Sequence, residues 1–137
     1  MFNIFLIHQN HVQHGHNTKY IPETLLPGFL DLILWGHEHD CWADPIRNTS
    51  TGFNVIQPGS SVATQLTFGE ARPKHIVMMD IKQKSFKVHK FPLQTVRPFY
   101  IEDFIHSLYD LNVGDPKLKD KTIEACNSRY CLNDFDF

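Results

Sequence analysis

Two short apolar runs, each closed by histidine, constrain this chain more than anything else in it. Phe2, Ile4, Phe5, Leu6 and Ile7 are almost continuously apolar, and the run stops at His8-Gln9-Asn10. Residues 29–35 (Phe-Leu-Asp-Leu-Ile-Leu-Trp) form a second run, which ends at Gly36-His37-Glu38-His39. Runs of this kind suit strands covered on both faces, as in a parallel sheet. About 22 residues separate the two runs. A parallel crossover needs about a dozen. Parallel strands place their C-terminal ends on one edge, where open α/β sheets hold their ligands. This arithmetic brings His8 to His37 and His39.

Composition bounds the function classes. The chain has 137 residues, 42% hydrophobic and 20% charged, which suits one domain with a true core or a piece of a larger one. A net charge of −2 excludes nucleic-acid binding through bulk positive charge. No apolar run reaches the ~18 residues of a membrane span. The start lacks the basic region of a signal peptide. Three cysteines, Cys41, Cys126 and Cys131, offer no even disulfide framework and favour a reducing compartment. Histidine is the outlier. Six of the nine (His8, His11, His14, His16, His37, His39) lie in the first 39 residues, which points to metal chemistry or to a His-rich polar surface.

The spacing predicts a strand over 3–8, a helical turn near Ile21-Pro22-Glu23, and a strand over 29–35. Beyond Asp40, short strands over 54–57, 75–81, 86–91 and 95–101 suggest an antiparallel meander. Ile101, Phe104, Ile105, Leu108 and Tyr109 follow helical periodicity, with Gly114-Asp115-Pro116 as the stop, and 122–132 reads as a further helix. Seven basic residues between Arg72 and Arg97 face Asp80 alone. They form either a phosphate-tracking stripe or the solvent face of a hairpin.

Gly36-His37-Glu38-His39 is the sharpest motif. In extended backbone, residues i and i+2 share a side, so both imidazoles reach one ion or two adjacent ones. Gly36 would permit a tight or positive-φ turn, and Glu38 would face away from the pair. The bland reading is two surface histidines in a loop. His8 alone reads as a core histidine; its placement beside His37 argues for a ligand. Pro58-Gly59-Ser60-Ser61 is neither a phosphate-binding loop of the Walker type nor a nucleophile elbow.

Ile7-His8-Gln9-Asn10, Ile21-Pro22-Glu23, Leu34-Trp35-Gly36-His37-Glu38-His39-Asp40-Cys41, Gln57-Pro58-Gly59-Ser60-Ser61-Val62 and Thr95-Val96-Arg97-Pro98-Phe99-Tyr100 occur in that order. Together they resemble the calcineurin-like metallophosphoesterases, and within them the eukaryotic double-strand-break repair nucleases. The resemblance covers about residues 2–101. It implies an α/β fold of the α+β sandwich kind with a mixed β-sheet, truncated at both ends. Residues 1–101 would be the C-terminal half of the nuclease domain, and 102–137 the helical start of a capping domain.

The resemblance also implies a two-metal, manganese-dependent DNA phosphodiesterase with exo- and endonuclease action, nuclear and active in repair and meiosis. His8 and His37 would hold one Mn2+ ion and His39 the other. Gln9, Asn10, His14, Lys19 and Ser60 would lie near the DNA. The implied partners are DNA, a Rad-fifty-type ATPase, a nibrin-type subunit and a second copy of the complete protein, with no membrane. The family's early motifs, Asp-x-His, Gly-Asp and Gly-Asn-His-Asp, do not precede His8 here. They supply the bridging aspartate and the catalytic histidine, so these residues alone are expected to be inactive. Half a sheet is also expected to leave apolar surface uncovered. A non-catalytic DNA- or partner-binding module is the alternative, and a small zinc site of His37, His39 and Cys41 is a third reading.

Overall fold

A computed structural model describes residues 1–109, 111 and 114–129. The chain divides into two compact units, 1–101 and 102–137.

The first unit is built on a four-stranded mixed sheet. Its strands are β1 (Ile4–His8), β2 (Leu32–Gly36), β3 (Trp42–Arg47) and β4 (Asn54–Gln57), in the order β1-β2-β4-β3. β1 and β2 are parallel, in a register that pairs Ile7 with Trp35 and His8 with Gly36. β2 and β4 are also parallel, whereas β3 runs antiparallel to β4. The crossover between the two apolar runs is thus observed, with a 3-10 turn at Glu23–Leu25. The α/β class and the mixed sheet read from the sequence are borne out.

The core sits on β2 and β4. Leu32, Ile33, Trp35 and Phe53 are fully buried, and Leu30 and Val55 close around them. β2 therefore has the two-sided cover that its continuous apolarity predicts. β1 does not. It is an edge strand, and Ile4, Phe5 and Leu6 are exposed, Leu6 to 72%. Apolar sequence reports what a strand can bury, not how many neighbours it finds.

A second sheet is the hairpin of β5 (His75–Lys82) and β6 (Ser85–Pro92), with Gln83 in the left-handed region at φ 56°. Phe2 packs on Phe86 with ring centroids 5.7 Å apart, and Lys84 and Lys90 reach Asp31 and Asp44 at 2.7 Å. Arg72 lies over the Trp42 ring at 3.8 Å, and Lys74 is buried. Four members of the basic stripe are therefore engaged within the fold.

The meander is corrected in two places. β4 lies between β2, to which it is parallel, and β3, to which it is antiparallel, and it does not continue into β5. Residues 95–101 form no strand, since Pro98 lacks the donor that a ladder needs. β3 was not among the strands expected from the sequence, and it carries Pro45. The proline is tolerated on the sheet's outer strand, where the register shifts between Trp42 and Ile46.

In the second unit, the helix expected over 101–109 is only a 3-10 turn, His106–Tyr109, with Phe104 stacked on Tyr109 at 4.6 Å. α1 spans Leu118–Arg129. Gly114-Asp115-Pro116, read as a stop, is instead a start. The Asp115 carboxylate accepts the Lys117 N–H at 2.8 Å and pairs with Lys121 at 2.6 Å. Residues 130–132 of the expected helix, and Cys131, lie outside the described residues.

Candidate metal centre

The β1–β2 register sets the site. Pairing His8 with Gly36 puts the two strand ends level, so the residue after Gly36 stands beside His8. His8 Nε2 and His37 Nδ1 are 3.3 Å apart, and the rings meet edge to face with centroids 5.1 Å apart. Gly36 is needed for this approach. A Cβ there would stand 2.9 Å from His8 Nδ1. The positive φ expected at Gly36 falls on His37 instead, at 81°. A non-glycine residue in that region costs about 1–3 kcal/mol and persists only where the surroundings impose it.

His39 stands apart from this pair. Its Nδ1 is 2.6 Å from Thr64 Oγ1 and 3.1 Å from Glu70 Oε1. Glu70 is buried, and its carboxylate accepts the Thr64 N–H at 2.7 Å, the Thr64 hydroxyl at 2.6 Å and the Gln65 N–H at 3.1 Å. Lys74 Nζ lies 3.6 Å away. Burial alone would raise the Glu70 pKa. The Thr64 hydroxyl and N–H, His39 and Lys74 outweigh it and lower the pKa to about 2. Lys74 Nζ also donates to the His39 carbonyl at 2.8 Å.

His37, His39, Asn10 and His14 share the wall of a cleft of about 540 Å³. Among the described residues, no three His, Cys, Asp or Glu side chains converge as a ready-made metal site. Cys41 is buried against His75, with Sγ 3.7 Å from Nδ1, so the zinc set of His37, His39 and Cys41 is not assembled.

The donor chemistry nonetheless fits a divalent ion. Metal–imidazole bonds of about 2.0–2.1 Å put two ligand nitrogens about 2.8–3.0 Å apart at octahedral angles and about 3.3–3.4 Å apart at the tetrahedral angle. His8 and His37 stand at 3.3 Å.

The other expected residues divide. Glu38, between the two histidines, turns to the loop. It accepts the His11 N–H at 2.7 Å and holds His14 Nε2 at 2.8 Å. Burial works against its charge, but these bonds keep its pKa below the ordinary range. Asn10 closes the same loop, donating to the Lys19 carbonyl at 2.8 Å and accepting the Ile21 N–H at 3.1 Å. Gln9 Oε1 accepts the Asn10 N–H at 2.9 Å, and its carbonyl accepts Trp35 Nε1 at 2.7 Å. Lys19 is exposed on this loop. Ser60 backs His39, its N–H donating to the His39 carbonyl at 3.2 Å.

His11 belongs to the fold more than to the rim. It stacks on Trp35 at 4.0 Å, and its nitrogens meet Gln57 at 2.9 Å and Glu23 at 2.7 Å. His16 is exposed. Sequence reasoning missed Thr64, Glu70 and Lys74. The i, i+4 spacing of Glu70 and Lys74 was the one hint, and it is too common to single them out.

No family model matches the chain. Curated relatives do. It is 53% identical over 104 residues to the double-strand break repair protein mus-23 of Neurospora crassa, covering 76% of this chain and 14% of that protein. It is 46% identical over 127 residues to the double-strand break repair protein MRE11 of Mus musculus, covering 91% of this chain and 18% of that protein. Against the protein of the same name from Oryza sativa subsp. indica, it is 46% identical over 115 residues, covering 83% and 16%. The chain thus spans 14–18% of the length of these relatives. No described helix is long and apolar enough to cross a membrane. The likeness to double-strand break repair proteins is borne out, and the chain is a homologue of a segment of the MRE11 and mus-23 double-strand break repair proteins.

Proposed function

We propose that this chain supplies the histidine half of a manganese-dependent DNA phosphodiesterase that acts in double-strand break repair. The observation that carries the reading is the His8–His37 pair, 3.3 Å apart at aligned strand ends, with His37 held in a costly backbone conformation. Backbone strain of this kind clusters at functional sites, which supports the reading. The relatives' names support the repair role.

In this reading His8 and His37 hold one ion, and His39 offers a nitrogen to the second. Paired divalent ions supply charge that stabilises the attacking and leaving oxygens of an in-line displacement. The chain's own residues orient and enclose. Gly36 lets the His8 ring approach, Glu38 ties the His11–His14 loop over the cleft, and Asn10 closes that loop. In this reading Gln9, Asn10, His14, Lys19 and Ser60 would lie near the DNA. The nucleus, a Rad-fifty-type ATPase, a nibrin-type subunit and a homodimer of the complete protein belong to the same proposal.

These 137 residues alone are expected to hydrolyse no phosphodiester, because three histidines without a bridging carboxylate leave an open, weak site. Manganese-dependent hydrolysis by this chain, lost on His39→Ala, would overturn that expectation. In a longer chain that also carries the Asp-x-His and Gly-Asn-His-Asp motifs, His37→Ala should abolish turnover and leave the fold intact. Retained turnover there would refute the metal role of the pair. Tight, salt-sensitive DNA binding by the 137 residues without metal would favour the non-catalytic module instead.

A further inference from the structure

We propose that Glu70 is a positioning residue that, with Thr64, fixes His39 as the Nδ1–H tautomer and leaves the Nε2 lone pair for a ligand. The use of that lone pair rests on the metal reading above; the tautomer itself does not.

The argument is an accounting of protons. Thr64 has one hydroxyl proton, and it points to Glu70 Oε1 at 2.6 Å. Its oxygen therefore presents a lone pair to His39 Nδ1, 2.6 Å away. Both Glu70 oxygens already act as acceptors, from the Thr64 N–H, the Thr64 hydroxyl and the Gln65 N–H, and Oε1 lies 3.1 Å from the same nitrogen. Both neighbours of Nδ1 are acceptors, so Nδ1 carries the hydrogen. In a neutral imidazole the other nitrogen is then the acceptor. An unconstrained imidazole in water prefers the opposite tautomer, so the surroundings impose this one. His39 is 45% exposed on the cleft wall while Glu70 behind it is 3% exposed. This is the layout of a ligand in front of its support.

The same segment fixes the His39 backbone. Lys74 Nζ and the Ser60 N–H both donate to the His39 carbonyl, at 2.8 and 3.2 Å. Gly59, at φ 74°, passes so close that a Cβ would stand 2.6 Å from that oxygen. A buried carboxylate could serve the fold through Lys74 and the two backbone N–H groups alone. Its reach to Nδ1 is what a structural role leaves unexplained. Carboxylate partners of this kind orient a ligating imidazole and raise its basicity, and their loss costs about 10–100-fold in metal affinity.

Long-range nitrogen–carbon NMR correlations on the full metal-free chain at neutral pH read the tautomer directly. The Nδ1–H form of His39 is expected. A dominant Nε2–H form overturns the proposal without any variant. The second measurement uses Glu70→Leu/Lys74→Met, which removes both charges and leaves none orphaned. His39 should revert to Nε2–H, and the Mn2+ needed to broaden its ring signals should rise about 10–100-fold. The Mn2+ dependence of His8 and His37 should stay unchanged. Broadening of His39 at the parent's Mn2+ concentration overturns the proposal. If Mn2+ broadens none of the three histidines in the parent, the metal reading fails, and the tautomer measurement still decides the role of Glu70.

Discussion

Replacing Gly36 with alanine separates the paired histidines from the fold that carries them. A Cβ at Gly36 would stand 2.9 Å from His8 Nδ1, 3.7 Å from its Cγ and 3.5 Å from the Ile7 carbonyl oxygen. Only the first contact is too close. Heavy atoms pack best at about 3.5 Å or more, so the imidazole must retreat by about 0.6 Å. The ring is the mobile end of a side chain, and an off-rotamer adjustment costs about 0.5–1.5 kcal/mol. Gly36 is not among the residues with positive φ, so alanine suits its backbone. Removing glycine's freedom in the unfolded chain stabilises by about 0.4–1 kcal/mol. The two effects nearly cancel, and unfolding free energy should stay within about 1 kcal/mol of the parent. The site has less tolerance. A binding constellation must be held within about 0.5 Å, and the 3.3 Å separation is what suits two ligands on one ion. The Mn2+ concentration that half-broadens the His8 ring signals should rise at least about tenfold, or about 1.4 kcal/mol. Urea unfolding and a Mn2+ titration followed by NMR test both halves. An unchanged Mn2+ dependence refutes the geometric argument. A loss of more than about 2 kcal/mol in stability would show that the strand yields instead of the ring.

Two further outcomes concern the core and an ion pair at the strand ends. Phe53→Ala empties a fully buried position beside Trp35 and Ile33 and should cost about 3–5 kcal/mol; a thermal transition as cooperative and as high as the parent's would contradict the placement of the core. Asp31 is held below the ordinary carboxylate value of 3.8 by its bond to Lys84 and then by the Asn3 N–H. Its folded pKa is the lower one, so its contribution is full above the unfolded value and lost as pH falls through the folded value. The stability advantage of the parent over Asp31→Asn should therefore be constant near neutral pH and shrink below about pH 4; stability curves that stay parallel into acid would refute it.

The places where sequence and structure diverge share a cause. β2 and β4 were legible because their side chains carry their own burial pattern, and the 54–57 strand matches residue for residue. β3 was not expected, and it carries Pro45, whose missing N–H matters in a central strand and not on the sheet's outer one. The apparent helix over 101–109 had the right period, but a short amphipathic stretch gains helix only from what it packs on. Asp115-Pro116 punctuates in either direction, and only the Lys117 N–H on the Asp115 carboxylate shows that it opens α1.

The sequence by itself determined the two apolar strands, the parallel crossover and the meeting of His8 with His37, because strand period and crossover length are local properties of the chain. It also carried the likeness to the repair proteins, since ordered motifs are read without coordinates. Tertiary structure decided which backbone takes the positive φ, giving it to His37 instead of Gly36. It left β1 at an edge with its apolar face open. It also brought Thr64, Glu70 and Lys74 behind His39 from 25 to 35 residues away. No period or propensity encodes such a meeting. A buried carboxylate finds its partners only once the chain has closed around it.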